Sequence, residues 1–487
     1  MNIVDKDLCS IQEARNLIDK AKVAQKKLAQ FSQEQLDAIV KAIADAGVEN
    51  SEKLAKLAAT ETGFGNWEDK VLKNLFASQT VYESIKDVKT VGILNEDDGQ
   101  KIMEVAVPLG VITALIPSTN PTSTTIYKAM IAIKAGNAVI FSPHPTALKC
   151  ILETVRILKE AAVKAGCPED AIGCLTNPTI EGTNTLMKGK DVSLILATGG
   201  SAMVKAAYSS GTPAIGVGPG NGPAFIEKSA NIPLAVKRIF DSKTFDNGVI
   251  CASEQSIIVE ECIREEVMKE CVKQGGYFLS SSEGKKLEKY IMRSNGTMNP
   301  AIVGKSVEQI AKLADLQIPP DTRVLIAEET RVGKDVPYSR EKLAPILAFY
   351  TEKDWEAACQ RCIEILNNEG AGHTLIIHSE NKDVIKEFAL RKPVSRLLVN
   401  TPGALGGIGA TTNLIPALTL GCGAVGGGST SDNIGPLHLI NIRRIAYGVK
   451  ELDDLREIKS KDKLCEDLMG KQALIEKIIK QVLAELA

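Results

Sequence analysis

One cysteine, Cys251, lies in a stretch whose composition suits a covalent nucleophile. It follows an Asn-Gly pair, is flanked by Ile250 and Ala252, and precedes the apolar run 256–259. A thiol acts as a nucleophile when its thiolate is accessible and is favoured by nearby N–H donors or positive charge. The same pattern also fits a buried cysteine at the start of a core strand, so the stretch alone leaves both interpretations open.

The segment 245–255 resembles the nucleophile region of the aldehyde dehydrogenase superfamily, and its sequence Asp-Asn-Gly-x-x-Cys-Ala-Ser-Glu-Gln resembles the coenzyme-A-acylating branch. The resemblance extends from about Glu34 to about Gly448. It implies an α/β aldehyde dehydrogenase fold, with two parallel-sheet α/β domains plus a β-ribbon oligomerisation arm. It also implies Cys251 as the nucleophile, NAD as the cofactor, coenzyme A as co-substrate, and a homodimer or homotetramer.

Length and composition limit the class of protein. The 487 residues are enough for two or three domains, and no apolar run is long enough to span a bilayer. Lys and Arg total 58 against 60 for Asp and Glu, which gives no electrostatic case for a nucleic-acid partner. The eleven irregularly spaced cysteines favour reduced thiols in a cytoplasmic setting. Cys359-x-x-Cys362 has no second pair, so no metal site is predicted.

The organisation of the chain follows from its hydrophobic patterns. Residues 10–90 read as helices, with a capping box that begins at Ser32. Residues 89–108 alternate around Asp98-Gly99, which predicts a hairpin arm. From Leu109 the alternation of strands and helices predicts a parallel sheet with crossover helices. Its predicted strands are Val111–Ile116, Ala138–Phe141, Ala171–Leu175, Val192–Ala197 and Ala224–Ile226.

These patterns and the resemblance together predict the domain boundaries. Residues 1–230 would form the N-terminal helices and the NAD-binding domain, with the oligomerisation arm at about 89–108. Residues 231–417 would form the catalytic domain that carries Cys251. Residues 418–451 would return to the cofactor domain and end in an oligomerisation strand, and residues 452–470 read as a charged linker.

Ligands of open parallel sheets bind at the carboxyl ends of the strands. The loop after the first predicted strand is therefore a candidate location for an oxyanion donor. Asn120 occupies the position of the family's oxyanion-stabilising asparagine, and an amide N–H donates to an oxyanion without a change of charge. The alternative is an ordinary Asn-Pro turn residue.

The cofactor is predicted to contact other strand ends. Residues 198–200 close a strand and open a helix, whose N–H groups suit a pyrophosphate or nicotinamide. Residues 142–145 replace the lysine and glutamate that hold the adenosine ribose in hydrolytic relatives, and the histidine there either contacts the cofactor or caps the loop. A glutamate at 341 resembles the one that holds the nicotinamide ribose, with a solvated charge as the alternative. The cofactor-binding predictions are Ser118, Ser142, Pro143, His144, Thr198, Gly199, Gly200 and Glu341.

Two further residues are predicted to contact the substrate or coenzyme A. Ile250 is adjacent to the nucleophile, and His373 lies in an Ala-Gly-His-Thr sequence that recurs in the acylating branch. A hydrogen-bonded histidine at a strand edge is the alternative for His373.

The lack of acidic residues in one segment of the chain bears on the reaction. Leu194 through Phe225 contain no Asp or Glu, whereas hydrolytic relatives carry a glutamate general base in this region. Without that base, water should attack an acyl enzyme slowly, and the thiol of coenzyme A becomes the acceptor. The predicted reaction converts propionaldehyde or acetaldehyde, coenzyme A and NAD+ to acyl-CoA and NADH, reversibly, through a Cys251 thioacyl enzyme. The alternatives are a hydrolytic NAD-dependent aldehyde dehydrogenase, an acylating succinate-semialdehyde dehydrogenase, and a catalytically silent scaffold or cargo adaptor.

Residues 471–487 form an amphipathic pattern beyond the enzyme body. The pattern resembles the encapsulation peptides that direct cargo enzymes into bacterial microcompartments, so shell or cargo proteins are predicted partners and the interior of a microcompartment is the predicted location. A terminal helix packed on its own protomer or on a neighbour is the alternative. No membrane partner is predicted. The apolar stripe is Leu474, Ile475, Ile478, Ile479, Val482, Leu483 and Leu486.

Overall fold

The computed structural model describes residues 5–486, with side chains described outside 457–466. Two compact units are distinguished. The larger comprises the chain up to Val91 together with Val107–Asn441, and the smaller comprises Gly92–Ala106 together with the chain from Ile442. No helix in the described residues is both long enough and apolar enough to cross a membrane.

Five helices open the chain and a hairpin follows them. The predicted capping box is present at the start of the second helix, where Ser32 N donates to Gln35 Oε1 at 2.9 Å and Ser32 Oγ accepts from Gln35 N at 3.4 Å. The predicted hairpin is also present, with its two strands antiparallel. The elements are α1 Lys6–Leu28, α2 Gln33–Glu49, α3 Ser51–Thr62, α4 Trp67–Leu75, α5 Val81–Ile85, β1 Gly92–Asp97 and β2 Ile102–Pro108.

A five-stranded parallel sheet follows, with strand order β5-β4-β3-β6-β7. Four of its strands lie where the sequence predicts them, and the short strand β7 was not predicted. The order places β3 between β4 and β6, so the loops after these three strands leave from neighbouring positions. The strands are β3 Val111–Ile116, β4 Ala138–Pro143, β5 Ile172–Cys174, β6 Val192–Thr198 and β7 Ala214–Val217, and the helices are α6 Pro121–Lys134, α7 Leu148–Lys164, α8 Ile180–Met187 and α9 Ser201–Tyr208.

The larger unit contains a second parallel sheet, which has seven strands in the order β10-β11-β12-β9-β8-β13-β14. Its strands are β8 Gly222–Ile226, β9 Glu254–Glu260, β10 Gly276–Phe278, β11 Val324–Glu328, β12 Ile346–Glu352, β13 Gly372–His378 and β14 Val394–Val399. Its helices are α10 Ile232–Thr244, α11 Arg264–Lys273, α12 Ser281–Ile291, α13 Val307–Leu313, α14 Trp355–Asn368, α15 Lys382–Arg391 and α16 Gly403–Gly407.

The strand at 224–226 belongs to this second sheet, so its predicted place in the first sheet was wrong. It pairs with β9 and β13. Only residues 218–221 separate it from β7. A parallel neighbour in the same sheet needs a crossover of a dozen residues or more, so this short connection instead carries the chain from one sheet to the other.

The smaller unit contains a three-stranded sheet and the last helix. The strand β15 Ile440–Ala446 lies beside β2, in the order β1-β2-β15. Within this unit Arg444 Nε donates to Glu104 Oε1 at 3.0 Å. The helix α17 spans Leu452–Glu485, so residues 452–470, which read as a linker, are helical. The apolar stripe of residues 471–486 is exposed to solvent along its length.

Candidate active site

Two adjoining cavities open at the carboxyl ends of β3, β4 and β6, where the sequence places most candidate residues. The inner cavity has a volume of about 270 Å³ and reaches Cys251, and the outer cavity has a volume of about 710 Å³. Both are lined by His144, Thr198, Gly199, Gly200 and Glu341. Ser118, Asn120, Ile250 and Cys251 line the inner cavity only, and Ser142 and Pro143 line the outer one only.

The loop before Cys251 has an unusual backbone. Asp246 and Asn247 have φ angles of +49° and +53°, and Gly248 follows with +78°. Non-glycine residues adopt this left-handed region at a cost of about 1 kcal/mol or more each. The conformation persists because Asp246 is fully buried and accepts hydrogen bonds from Asn66 N, at 2.9 Å, and from two lysines.

The thiol of Cys251 contacts a histidine from the second sheet. His373, on β13, has its Nε2 3.2 Å from Cys251 Sγ. Burial raises the pKa of Cys251 to about 12, and the charge of Glu341 adds to the rise. Burial lowers the pKa of His373 to about 3, and the charge of Arg396 adds to the fall. Both shifts favour a neutral thiol beside a neutral imidazole in the free enzyme.

Two residues behind the imidazole orient it. His373 Nδ1 lies 2.9 Å from Thr374 Oγ1, and that hydroxyl accepts from Arg396 Nε at 3.4 Å. Arg396 is buried and donates to the carbonyl oxygens of Gly421 and Ser431, at 2.6 and 3.1 Å. Because the guanidinium is held by several fixed acceptors, the hydroxyl and the imidazole keep one arrangement facing the thiol.

Asn120 lies at the start of α6 with its side chain in the inner cavity. Its Oδ1 accepts from Lys73 Nζ at 2.6 Å, and its Nδ2 donates to Val249 O at 3.3 Å. The amide nitrogen therefore faces the nucleophile loop, two residues before Cys251. This placement fits the predicted role of an oxyanion donor.

Glu341 is the one acidic side chain among the described residues that line the inner cavity. Its Oε1 accepts from Gly220 N at 2.8 Å. Burial raises the pKa of Glu341 to about 8, and the nearby charge of Glu369 contributes. Glu369 in turn forms an ion pair with Arg340 at 3.0 Å. A carboxyl group that lines both cavities could accept hydrogen bonds from ribose hydroxyl groups, and that role of Glu341 stays a prediction.

The start of α9 fits a dinucleotide. Thr198 ends β6 and Gly200 caps the helix, and a Cβ built at Gly200 would meet no atom within 4 Å. The start of the helix therefore borders open space in the cleft, and a helix N-terminus with this access suits a phosphate. Ile180 and Met203 form part of the apolar wall of the outer cavity.

His144 lines both cavities while its Nδ1 contacts Thr146 Oγ1 at 2.9 Å, so it also caps its own loop.

Sequence reasoning missed four residues that shape the site: Lys73, Asp246, Thr374 and Arg396. All four are buried. Lys73 and Asp246 lie 173 positions apart in the chain, and Arg396 lies 22 positions beyond Thr374, so no local pattern joins them. The available signal was Asp246, an acidic residue inside the nucleophile motif, which needs a cation if it is buried. Nothing in the pattern of α4 identified its lysines as that cation.

Comparison with known proteins places this geometry in a family. The Aldehyde dehydrogenase family profile matches residues 2–411. The bifunctional aldehyde-alcohol dehydrogenase AdhE of Escherichia coli (strain K12) is 45% identical over 90% of this chain and 50% of its own length. The acetylating succinate-semialdehyde dehydrogenase of Clostridium kluyveri is 40% identical over 90% of this chain and 96% of its own length. The chain thus spans about half the length of the aldehyde-alcohol dehydrogenases that it matches.

Similar solved structures are also aldehyde dehydrogenases. A probable aldehyde dehydrogenase from Listeria monocytogenes EGD-e has a TM-score of 0.92 and 71% identity, covering 93% of this chain and all of its own. A propionaldehyde dehydrogenase from the fucose utilisation bacterial microcompartment of Clostridium phytofermentans has a TM-score of 0.82 and 28% identity, covering 90% of this chain and 98% of its own. A Rhodopseudomonas palustris propionaldehyde dehydrogenase, solved with bound CoA and an acylated cysteine, has a TM-score of 0.81 and 27% identity, covering 89% and 97%. The chain belongs to the aldehyde dehydrogenase family.

Proposed function

We propose that the protein is a coenzyme-A-acylating aldehyde dehydrogenase, which converts a short-chain aldehyde, coenzyme A and NAD+ to acyl-CoA and NADH, reversibly. The observation that carries the proposal is the Cys251 thiol at a cavity, 3.2 Å from His373 Nε2 and close to the Asn120 amide. The Rhodopseudomonas palustris relative, with its bound CoA and acylated cysteine, supports the same chemistry for this fold.

In the first step, Cys251, His373 and Asn120 have separate roles. Cys251 Sγ attacks the aldehyde carbon while its proton passes to His373 Nε2. The neutral thiol and imidazole therefore become a bonded sulfur and an imidazolium only as the S–C bond forms. Asn120 Nδ2 and the Cys251 backbone N–H donate to the resulting oxyanion. A nicotinamide dinucleotide held along residues 198–200 and Glu341 supplies the hydride acceptor when bound.

The second step transfers the acyl group from Cys251 to coenzyme A. Once its first proton has passed to solvent, His373 accepts the proton of the incoming thiol, whose sulfur attacks the Cys251 thioester. Acyl-CoA is released as the Cys251 sulfur takes that proton back from the imidazolium, which regenerates the free enzyme. Water is a poor competitor because residues 194–225 contain no acidic side chain. Burial raises the pKa of Glu341 to about 8, so at neutral pH its carboxyl group is largely protonated and does not replace the missing base.

The proposal is tested by following NADH formation with a panel of C2 to C4 aldehydes, each with and without coenzyme A and with NAD+ or NADP+. We expect turnover to require coenzyme A and to be lost in Cys251→Ala. Equal rates without coenzyme A would establish the hydrolytic alternative. No reduction with any aldehyde, together with an intact fold, would favour the scaffold.

We infer that the aldehyde is small and unbranched, acetaldehyde or propionaldehyde rather than succinate semialdehyde. The inner cavity has apolar walls that include Val249, Ile250 and Leu420. Among the described residues that line this cavity, Lys73 is the cation, and its ammonium group already donates to Asp246 and to the Asn120 side-chain oxygen, so it is poorly placed to bind a substrate carboxylate. NAD+ is proposed over NADP+ because Arg340, the cation among the described residues of the outer cavity, is paired with Glu369.

We also propose that the last turns of α17 bind microcompartment shell or cargo proteins and that the enzyme acts as a homodimer or homotetramer through its three-stranded sheet. The exposed apolar stripe of residues 471–486 supports the first part. The relative from a Clostridium phytofermentans microcompartment is consistent with it. The exposed strand β15, which carries Ile442 and Ile445 at the surface, supports the second.

A further inference from the structure

We propose that Lys73 is a positioning residue of the oxyanion hole, which fixes the orientation of the Asn120 amide and strengthens its N–H as a donor. This inference rests on the proposed function, because it assigns Asn120 to the oxyanion. It adds a residue from α4, a helix of the N-terminal region that otherwise has no part in the chemistry.

Only one orientation of the Asn120 amide is compatible with its contact to Lys73. Lys73 Nζ lies 2.6 Å from the Asn120 side-chain oxygen, and both residues line the inner cavity. An ammonium group has three donors and no acceptor, so the amide atom that faces it must be the oxygen. The amide nitrogen is thereby turned towards Val249 O and the nucleophile loop. Without Lys73, only the long contacts of the amide nitrogen to Val249 O, at 3.3 Å, and to Thr119 Oγ1, at 3.4 Å, hold the amide in this orientation.

The electrostatics of the contact act in the same direction. Lys73 is 2% exposed, and an amide whose oxygen accepts from a buried cation is polarised, which makes its N–H a stronger donor. Asp246 forms an ion pair with Lys73 and compensates its buried charge. Burial lowers the pKa of Lys73 to about 8, and the charge of Asp246 opposes that fall.

The same ion cluster joins both parts of the reaction centre. Asp246 lies five residues before Cys251, within the loop of positive φ angles. Lys73 therefore connects this loop, which sets the position of the thiol, to the residue that would hold the oxyanion. A cation at this point keeps the donor and the nucleophile in one mutual arrangement.

Lys70 supplies a matched control. It lies one turn earlier on α4, is also 2% exposed, and donates to Asp246 Oδ2 at 2.9 Å. Its second acceptor is the backbone carbonyl of Thr119, at 3.1 Å, rather than the Asn120 amide. Lys70→Met and Lys73→Met each leave Asp246 with one lysine partner, so the two variants differ chiefly in the contact to Asn120.

The test measures the first-order release of p-nitrophenolate when Cys251 is acylated by p-nitrophenyl acetate, a reaction that needs neither NAD+ nor coenzyme A. We expect Lys73→Met to slow acylation by about 10- to 100-fold, less than the 100- to 1,000-fold typical of a lost oxyanion donor, with the ester KM changed by less than about threefold. Lys70→Met should lose less than about threefold at a similar melting temperature. Lys73→Gln, which retains an N–H donor, should recover part of the rate.

A double-variant cycle distinguishes positioning from general damage to the fold. If Lys73 acts through Asn120, Lys73→Met in an Asn120→Ala background should slow acylation no further than Asn120→Ala alone. Multiplicative losses, or equal losses for Lys70→Met and Lys73→Met, would overturn the inference. Failure of the proposed function would show separately, as aldehyde turnover without a need for coenzyme A in an enzyme whose acylation still depends on Lys73.

Discussion

Burial acts in opposite directions on the two partners at the centre of the site. It raises the pKa of the Cys251 thiol to about 12 and lowers the pKa of the His373 imidazole to about 3. The free enzyme therefore holds neither thiolate nor imidazolium at neutral pH. Reactivity then depends on the arrival of an electrophile, because the proton leaves sulfur only as a new bond forms. Such a thiol is protected from adventitious oxidation, which proceeds through the thiolate.

This arrangement predicts the pH dependence of a His373→Ala variant. In the wild type the imidazole is neutral at every pH well above 3, so acylation of Cys251 by p-nitrophenyl acetate should be nearly flat between pH 6 and 9. Without His373, the reaction depends on the thiolate fraction, which rises about tenfold per pH unit below the thiol pKa. We expect a rate about 100-fold lower at pH 7 that climbs steeply towards pH 9.

His438→Ala is the control for the loss of a histidine, because that ring contacts Asp432 and the backbone of Gly435. It should keep the flat wild-type profile. A His373→Ala profile parallel to that of the wild type would exclude a role of the imidazole in proton transfer.

At the scale of elements, the connection between β7 and β8 brings the two sheets together at the nucleophile. A Cβ built at Gly220 would lie 2.0 Å from Cys251 O and 3.3 Å from His373 Cε1. Gly220 N also donates to Glu341 at 2.8 Å. The backbone approaches this closely because no side chain stands between the strands. The missing side chain is therefore as much part of the site as the residues that are present.

Gly220→Ala should consequently displace the Cys251 backbone. We expect a loss of at least about 100-fold in kcat/KM, since a shift of about 1 Å in a reacting group costs that much, and a loss of about 1–3 kcal/mol in the free energy of unfolding. Gly218→Ala, two residues earlier, is the control, because a Cβ there meets nothing within 4 Å. Steady-state kinetics and urea unfolding measure both effects. Equal behaviour of the two variants would contradict the packing argument.

The elements differ in how well sequence predicts them. Strands β3 and β4 and the glycines at 199 and 200 were predictable, because apolar runs and helix starts are local signals. The sheet to which β8 belongs was not, because strand and helix alternation does not specify pairing partners. The short connection 218–221 becomes visible only once β7 is known. The Cys251–His373 contact and the buried Lys73–Asp246 pair join residues more than 100 positions apart, and no local pattern encodes them.

At the scale of the whole molecule, the residues proposed for chemistry and those proposed for assembly lie in different parts of the chain. Every candidate site residue lies in the larger unit, within Val107–Asn441 or the helices before Gly92. The exposed strand β15 and the helix α17 lie in the smaller unit. Variation in the smaller unit should therefore change partners and location without changing the catalytic step.

This division predicts the effect of removing residues 471–487. The truncated enzyme should keep its kcat/KM for the aldehyde within about twofold, because no candidate site residue is lost, but it should no longer co-purify with microcompartment shells. Within the helix, Ile478→Glu should abolish encapsulation of a fused reporter protein, since burial of each such side chain contributes about 1.5–3 kcal/mol. Lys480→Glu, on the polar face, is the matched control and should still be encapsulated. Equal encapsulation of both variants, or of the truncated enzyme, would assign the apolar stripe to packing between copies of this chain.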